Sequence, residues 1–532
     1  MSIIEADSPQ GGKANVKPNR VRGTALAAAL GVVAVLGIRA TAGAGQAPAP
    51  RGTGPVTAYG SGAGAEGRAG SRLHRLALRA RAAGEAVLAR QDTQPFGLLG
   101  VSWTDPKAEV KGTIEARARD ARTGTWSRWI ELEPLEPGMD GPRPGARGAT
   151  EPVWVGASDG TEVRVRGGGT LPAGLELNLV DPGGRGSGGG GARRNGTPDA
   201  RPAAFPAPAP AAAATGAADP GPASTAPRPA VVPRAEWGAD ESLNGEGPGY
   251  LPGGKVKAVF VHHTADARPY DCTESAAIVR GIHVYHVQTN GWRDLGYNFL
   301  VDKCGTVFEG RKGGIDRPVL GAHTHGWNSE SAGIAVLGDH TTTGIPQAAQ
   351  AAIARIAAYK HGQYDGDMSG TAALTAGATQ TNLLGASFSA GRTYAFPALS
   401  GHRDGFNTRC PGDALYGQLD AIRAAGPAAR LKVAAVNGEA PRPGTVHRTS
   451  GPLSLEWTTS TPGDRLAQFE LLVDGSPVAT VPGTARTAET VLAPGSHRIE
   501  VRATAANGAT STALPVSVVA EGRPATSVPT AR

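Results

Sequence analysis

Alternating apolar and polar positions in the first half of the chain predict β-strands. Residues 114–118, 163–166 and 175–179 are apolar at every second position, which is the period of a half-buried strand. With Gly/Pro turns between them, they predict a small all-β sandwich. We expect its tryptophans to pack in the core, with an exposed sugar-binding face as the alternative. These tryptophans are Trp103, Trp126, Trp129 and Trp154. Just before the sandwich, residues 73–90 are expected to form a short helix.

A second set of predicted strands follows residue 431. Residues 453–457, 469–473, 497–503 and 514–519 have the composition of strands, with an Asp474-Gly475 turn between two of these runs. This pattern predicts an immunoglobulin-like or fibronectin-like β-sandwich. No nucleophile, metal-ligand cluster or phosphate-binding loop is apparent in this part of the sequence.

Between the two β-rich parts, strands alternate with helices. Residues 258–261 form a continuous apolar strand that delivers His262 to its carboxyl end, where open α/β sheets place their ligands. Residues 273–287 have a helical period, 297–301 and 306–309 flank a hairpin turn, 333–337 form another strand, and 347–361 form an Ala-rich helix. We therefore predict an α/β fold with a central mixed β-sheet flanked by helices, and an all-β sandwich domain on each side.

The start of the chain indicates export. Residues 24–38 form an apolar run that follows several lysines and arginines and precedes small residues with Ala-x-Ala spacing, as in a secretory signal peptide. A helical run of this length spans about 22 Å, which is short of the roughly 30 Å hydrocarbon core. A cleaved signal is therefore favoured over a retained anchor. We expect a mature chain that is secreted or held in the cell wall, without stable membrane insertion.

Composition divides the 532-residue chain further. Its 77 glycines and 42 prolines require long flexible stretches between the folded parts. We expect a signal peptide at 1–44, disorder at 45–72, a β-rich domain at 73–182, a Gly/Pro/Ala linker at 183–230, the α/β domain at 231–428, the second β-sandwich at 429–520 and a disordered tail at 521–532. The net charge of +7 is modest for this length and does not imply nucleic acid.

The three cysteines suggest a metal site. Cys410 follows a histidine closely and precedes a proline in a loop, so Cys272 and Cys304 are the expected disulfide pair. An exposed free thiol outside the cell would oxidise, whereas a zinc ion would hold it as thiolate. Catalytic zinc needs three protein ligands and an open position. His262, His402 and Cys410 are a workable set.

Five ordered motifs carry a family resemblance. They are VVPRAEWGA (231–239), VFVHHTA (259–265), GWRDLGYNFLVDKCGTVFEGR (291–311), LGAHTHGWNSESAGIAVLG (320–338) and GHRDGFNTRCPG (401–412). Together they resemble peptidoglycan recognition proteins and the related zinc-dependent N-acetylmuramoyl-L-alanine amidases of the bacteriophage lysozyme type. The resemblance covers the α/β domain alone.

The resemblance implies roles for individual residues. The zinc ligands would be His262, His402 and Cys410, and the catalytic side chains would be Tyr297 and Thr408. The substrate-binding residues would be Thr264, His286, His323 and Asn328. Packing on the inner face of the helix is the alternative for His286, and His283 is expected on the solvated outer face.

Two positions depart from the family pattern. Some related enzymes carry a glutamate on the strand where this chain has Ala335, which leaves the proton-shuttling group open. After the EGR motif, relatives have a Trp or Phe that tunes recognition of the third stem residue, whereas this chain has Arg311-Lys312-Gly313-Gly314. The preference for that residue is therefore open too.

These observations favour one function over three others. The first is a secreted zinc-dependent N-acetylmuramoyl-L-alanine amidase that hydrolyses the amide between MurNAc and L-Ala of bacterial peptidoglycan. The alternatives are a non-catalytic peptidoglycan-binding protein, a structural wall protein and a zinc peptidase, although no HExxH helix is present. The expected partners are muramyl peptides, the expected cofactor is Zn²⁺, and we expect a monomer that binds no nucleic acid.

Overall fold

The computed structural model describes residues 70–136, 138–141, 143–183 and 221–521. The predicted signal peptide lies outside these residues, as do nearly all of the segment predicted to be disordered at 45–72, most of the predicted linker and all but the first residue of the predicted tail. Among the described helices, none combines the length and apolar character needed to cross a bilayer.

The N-terminal domain is a single eight-stranded sheet. Its backbone order is β1-β8-β3-β7-β4-β5, with β2 and β6 also paired to β3. Register shifts along the β3–β7 pair are the bulges that let long strands bend. The strands are β1 Arg72–Ala77, β2 Arg79–Ala82, β3 Glu85–Trp103, β4 Gly112–Asp120, β5 Ile130–Glu131, β6 Gly148–Ala149, β7 Val153–Gly167 and β8 Glu176–Asp181.

The helix predicted at residues 73–90 is wrong. This segment forms β1, β2 and the start of β3, and β1 pairs antiparallel with β8. Gly84, at φ 76°, makes the turn between β2 and β3, a left-handed conformation that interrupts a helix and suits glycine. Leu76 and Leu78 pack on the apolar core of the domain, so tertiary pairing overrides the helical propensity of the Ala, Leu and Arg residues.

The tryptophans of this domain divide into two pairs. Trp103 and Trp154 are buried, as expected. Trp126 and Trp129 are only partly buried. The Arg90 guanidinium lies 4.1 Å from the ring centroid of Trp126, and that of Arg164 lies 3.9 Å from the ring centroid of Trp129. These two rings therefore lie under arginines and outside the core.

The middle of the chain contains the predicted mixed sheet. Its order is β11-β10-β12-β9-β17, in which β10, β12, β9 and β17 are parallel and β11 is antiparallel to β10. Parallel neighbours bring their carboxyl ends to one edge. The strands are β9 Ala258–His263, β10 Phe299–Val301, β11 Val307–Glu309, β12 Ser331–Val336 and β17 Leu399–Gly401.

Helices cover both faces of this sheet. On one face, α3 contributes Ile353 and Ile356 to a core that includes Val259 and Val261 of β9. On the other face, α2 contributes Ile278 and Ile282. The helices are α1 Arg234–Trp237, α2 Ser275–Val284, α3 Gln347–Gly362, α4 His402–Gly405, α5 Asp413–Tyr416 and α6 Leu419–Ala424. Two small two-stranded sheets are added by β13 Thr371–Thr375, β14 Gln380–Thr381, β15 Ser387–Phe388 and β16 Thr393–Pro397.

The predicted Gly/Pro/Ala linker is shorter than expected at its carboxyl end. Residues 221–230 lie on the α/β domain, where Ala226 is buried in its core. The guanidinium Nε of Arg228 lies 2.9 Å from the Asp316 carboxylate. This segment is therefore fixed to the domain that follows it.

The C-terminal domain consists of two sheets that share one apolar core. A three-stranded sheet has the order β18-β20-β23, and a six-stranded sheet has the order β19-β26-β24-β21-β22 with β25 on β24. Trp457 of the first sheet and Phe469 of the second meet in that core. The strands are β18 Lys432–Val436, β19 Val446–Thr449, β20 Leu453–Thr458, β21 Leu466–Val473, β22 Ser476–Pro482, β23 Thr487–Thr490, β24 Gly495–Ala505, β25 Thr510–Thr512 and β26 Val516–Ala520.

Candidate metal centre and substrate cleft

Two parallel strands deliver the two predicted histidine ligands to the same edge of the sheet. His262 is near the carboxyl end of β9, and His402 directly follows β17, where Gly401 is in register with Val261. The Asp404 carboxylate accepts the Gly401 N–H at 2.8 Å and so fixes this turn. The chain then returns through a loop that brings Cys410 to the same point.

The three predicted ligands are close together and buried. Their ligand atoms all lie within 4.8 Å of one another. The Sγ atom of Cys410 lies 3.8 Å from Nδ1 of His262, and the His262 and His402 ring centroids are 4.3 Å apart. The backbone N–H of His263 donates to Sγ at 3.4 Å. A site of this size suits a single ion.

The chemistry of the site fits zinc. Burial lowers the pKa of His262 well below its usual value, which favours the neutral imidazole that binds metals. Burial also raises the pKa of the Cys410 thiol, so without a cation the sulfur keeps its proton. Nε2 of His402 is buried without a hydrogen-bond partner. Two imidazoles and a sulfur are a preferred zinc donor set.

Tyr297 and Thr408, the predicted catalytic side chains, lie beside this centre. The Tyr297 ring centroid is 5.2 Å from that of His262, and its hydroxyl donates to Glu151 at 3.5 Å. Burial and the nearby Glu151 carboxylate raise the pKa of Tyr297, so the hydroxyl stays protonated. The Thr408 hydroxyl accepts the Cys410 N–H at 3.2 Å, which makes it part of the loop that holds the sulfur.

The four predicted substrate-binding residues differ in whether their side chains already have hydrogen-bond partners in the protein. The Thr264 hydroxyl accepts the Gly338 N–H, and the Asn328 side-chain oxygen accepts two backbone N–H groups. Both side chains therefore already have protein partners. His286 and His323 are buried, and Nε2 of each has no hydrogen-bond partner. The packing alternative for His286 fits its position on the Trp292 ring, 4.5 Å between centroids.

The expectation that His283 is solvated is wrong. Its side chain is buried, with Nε2 at 3.1 Å from the Asp294 carboxylate and 3.0 Å from the Asn244 side-chain oxygen. The Trp237 ring packs edge-on against it. The chain folds back over the outer face of α2 in this region, which the helical period of α2 alone does not reveal.

Three carboxylates from the N-terminal domain also face the centre. Glu133, Glu136 and Glu151 line one cavity of about 650 Å³ together with His402 and Cys410. Burial and the neighbouring Glu136 and Glu133 carboxylates raise the pKa of Glu151 to about 8. The sequence offered no sign of these residues, because they come from a different domain and have no motif or period.

Cys272 and Cys304 form the expected disulfide. It joins the residues just before α2 to the turn between β10 and β11. Because the other two cysteines are paired, Cys410 keeps a free thiol.

Comparison with known proteins shows which family the central domain matches. The profile of the N-acetylmuramoyl-L-alanine amidase family matches residues 252–413, and that of the Rv3811 N-terminal galactose-binding domain-like family matches residues 48–210. Peptidoglycan-recognition protein SC2 of Drosophila simulans is 31% identical over 192 residues, which are 36% of this chain and 84% of that protein. The chain belongs to the peptidoglycan-recognition protein family. An N-acetylmuramoyl-L-alanine amidase of Sus scrofa is 34% identical over 195 residues, 36% of this chain.

The peptidoglycan-recognition domain of this chain spans 27% of the length of the pig protein. A solved complex of peptidoglycan recognition protein-LE with tracheal cytotoxin aligns at 25% identity over 36% of this chain and 92% of that one, with a TM-score of 0.28. Membership in the family therefore rests on the sequence matches and not on this alignment.

Proposed function

We propose that this protein is a secreted, zinc-dependent N-acetylmuramoyl-L-alanine amidase. Its reaction would be hydrolysis of the amide between MurNAc and the L-Ala of the stem peptide in bacterial peptidoglycan. The observation that carries the proposal is the convergence of His262, His402 and Cys410 within 4.8 Å in a buried site. A family member that only binds peptidoglycan has no need of this ligand set.

His262, His402 and Cys410 would hold the zinc. When bound there, zinc supplies a water of lowered pKa and polarises a carbonyl oxygen. His263 supports the site because its N–H donates to the Cys410 sulfur, and Thr408 supports it through the Cys410 N–H. Both contacts orient the sulfur, as outer partners of metal ligands do.

Tyr297 would stabilise the reacting carbonyl. Its hydroxyl stays protonated because burial raises its pKa, so it is able to donate a hydrogen bond to the oxygen on which negative charge develops. Ala335 offers no acid or base on the neighbouring strand. Glu151 accepts from the Tyr297 hydroxyl and has a pKa of about 8, so it is suited to hold and return a proton near neutral pH.

We infer the cellular setting from the sequence. The signal-like residues 1–44 favour a secreted or wall-associated protein, and the proposed substrate favours muramyl peptides as partners. A monomer would suffice, because the three proposed ligands come from one chain.

The test is incubation of the zinc-loaded full chain with a muramyl tripeptide, followed by mass spectrometry. The expected products are the free sugar lactyl acid and the free peptide, which a chelator abolishes and added zinc restores. His402→Ala and Cys410→Ser should lose the products. His497→Ala, which alters a histidine of the C-terminal domain paired with Asp474, is the matched control and should retain them. Binding of the muropeptide without cleavage by fully zinc-loaded protein would support the non-catalytic alternative.

A further inference from the structure

The N-terminal domain and the peptidoglycan-recognition domain share an apolar core. Leu98 and Trp154 of the former lie in one cluster with Ile282 and Tyr285 of the latter. The Tyr285 hydroxyl crosses the interface to donate to the Thr150 carbonyl at 3.1 Å. Apolar packing across an interface favours a fixed arrangement of the two domains. A ligand between them would therefore meet both domains in a constant geometry.

The cavity beside the candidate metal centre has walls from both domains. Its volume is about 650 Å³, which is within the range of small-ligand sites. His402 and Cys410, two of the three proposed metal ligands, line it from the peptidoglycan-recognition domain, and Trp129 and Glu133 line it from the N-terminal domain. A substrate whose amide lies at the metal would therefore extend into a space that the N-terminal domain borders.

Trp129 is held in place at this cavity. It is partly exposed, and the guanidinium groups of Arg117 and Arg164 lie 4.8 Å and 3.9 Å from its ring centroid. These arginines are on β4 and β7, on the sheet face opposite the buried core. Arg117 is paired with Glu162 and Arg164 with Glu115. The ring therefore rests on a fixed ionic surface, and a preorganised contact of this kind loses little entropy when it binds a ligand.

The cavity combines this ring with exposed hydrogen-bonding side chains. Arg128 and Asn407, one from each domain, line the same cavity and are exposed. A pyranose has an apolar face of C–H groups and a rim of hydroxyl and acetamido groups, so it suits an aromatic ring with polar groups around it. The L-Ala end of the stem peptide offers only a methyl group. The sugar is therefore the part of a muramyl peptide that fits Trp129.

We propose that Trp129 of the N-terminal domain binds a sugar ring of the glycan part of the substrate. This inference rests on the proposed function, which supplies the muramyl substrate. It gives the N-terminal domain a direct role in substrate binding, because one wall of the substrate site belongs to that domain. The enzyme then prefers substrates that carry the sugars over the same peptide with the lactyl group alone.

The test compares two substrates with the same scissile amide, GlcNAc-MurNAc-tripeptide and the D-lactyl tripeptide that lacks both sugars. For the zinc-loaded full chain, the ratio of their kcat/KM values measures the contribution of the glycan. We expect Trp129→Ala to lower this ratio by about 3- to 10-fold, the scale of one aromatic stacking contact, and to leave cleavage of the lactyl tripeptide unchanged. Trp129→Phe, which keeps an aromatic face, should preserve most of the ratio.

Trp126→Ala is the matched control. Trp126 also contacts arginines of this domain, with Arg90 and Arg117 at 4.1 Å and 5.3 Å from its ring centroid, but it does not line the cavity. This variant should keep the wild-type ratio. An equal loss in Trp126→Ala and Trp129→Ala would trace the effect to the arginine-stacked surface and overturn the proposal. An unchanged ratio in Trp129→Ala would overturn it as well.

Two further measurements keep the proposal falsifiable. If Trp129→Ala fails to fold, Trp129→Leu fills much of the same volume without an aromatic face and must show the same loss. Calorimetric titration of both ligands separates this proposal from the proposed function. If the zinc-loaded wild type binds GlcNAc-MurNAc-tripeptide without cleaving it, the amidase function is wrong, and the ratio of the two Kd values then decides the role of Trp129 in the same way.

Discussion

The Nδ1 atom of His262 lies 3.8 Å from the Sγ atom of Cys410, although 148 residues separate them along the chain. The first comes from a strand inside the sheet, and the second comes from a loop that follows a neighbouring parallel strand. Because the two residues are far apart in the sequence, this buried site exists only in the folded chain.

Removal of the Tyr297 hydroxyl should impair catalysis without loss of metal. Tyr297→Phe deletes the one hydrogen-bond donor that we assign to the reacting carbonyl, and loss of such a donor lowers kcat by about 10²- to 10³-fold. The measurement is kcat on a muramyl tripeptide with zinc content determined in parallel. Tyr364→Phe, which removes a hydroxyl without a hydrogen-bond partner just after α3, is the control and should leave kcat unchanged. Equal kcat values for Tyr297→Phe and the wild type would contradict the role.

The buried ion pair between Asp140 and Arg311 should make the domain interface sensitive to mutation. Asp140→Ala leaves the Arg311 guanidinium buried without its carboxylate, a change that costs about 3–5 kcal/mol. Calorimetry of the full chain should show a lower Tm. The control is Glu521→Ala, which removes an exposed partner of Arg448 and should cost no more than about 1 kcal/mol. Similar Tm values for the two variants would argue against the packing of residues 138–141 on the central domain.

The disulfide should stabilise the central domain. Cys272 and Cys304 are 32 residues apart in sequence, and closure of a loop of that length contributes about 3–4 kcal/mol in the chain-entropy model. The double variant with Cys272→Ser and Cys304→Ser should therefore lower the Tm of this domain by about 5–15 °C. Wild-type protein kept reduced should match the variant. A shift below about 2 °C would mean that the bridge contributes little.

Glu151 should make the stability of the metal-free protein depend on pH. Its pKa rises from an ordinary 4.5 to about 8 on folding, so the folded state binds the proton more tightly than the unfolded state does. The stabilisation is complete below about pH 4.5 and is lost as the pH rises to about 8. Glu151→Gln should flatten this part of the profile in chelator-treated protein, whereas Glu131→Gln should not. Parallel profiles for Glu151→Gln and the wild type would contradict the shift.

Local sequence patterns were sufficient for much of the central fold. The continuous apolar run of β9, the helical period of α2 and the turn between β10 and β11 each have their own signal, and the structure has all three. The presence of His262 at a strand end made its position at the sheet edge predictable, because parallel strands place their carboxyl ends together. By contrast, β17 has only three residues, which is too short to show any period.

Contacts between domains could not be predicted in this way. Glu136 and Glu151 reach the centre only because Leu98 and Trp154 pack against α2, and neither contact leaves a period or motif in the sequence. The helix predicted at residues 73–90 failed for a related reason. Its composition favours a helix, but the partner strand β8 lies about a hundred residues further along the chain, and pairing with it determines the structure.

The most direct test of the central claim is the metal content of the purified full chain after exhaustive dialysis, measured by elemental analysis. We predict one zinc ion per wild-type chain. Because each substitution removes one of the three ligands, Cys410→Ser and His402→Ala should retain less than about a tenth of that amount. The control His497→Ala should retain the full amount. A wild-type chain without stoichiometric zinc, or Cys410→Ser and His402→Ala variants that both keep it, would contradict a metal centre built from His262, His402 and Cys410.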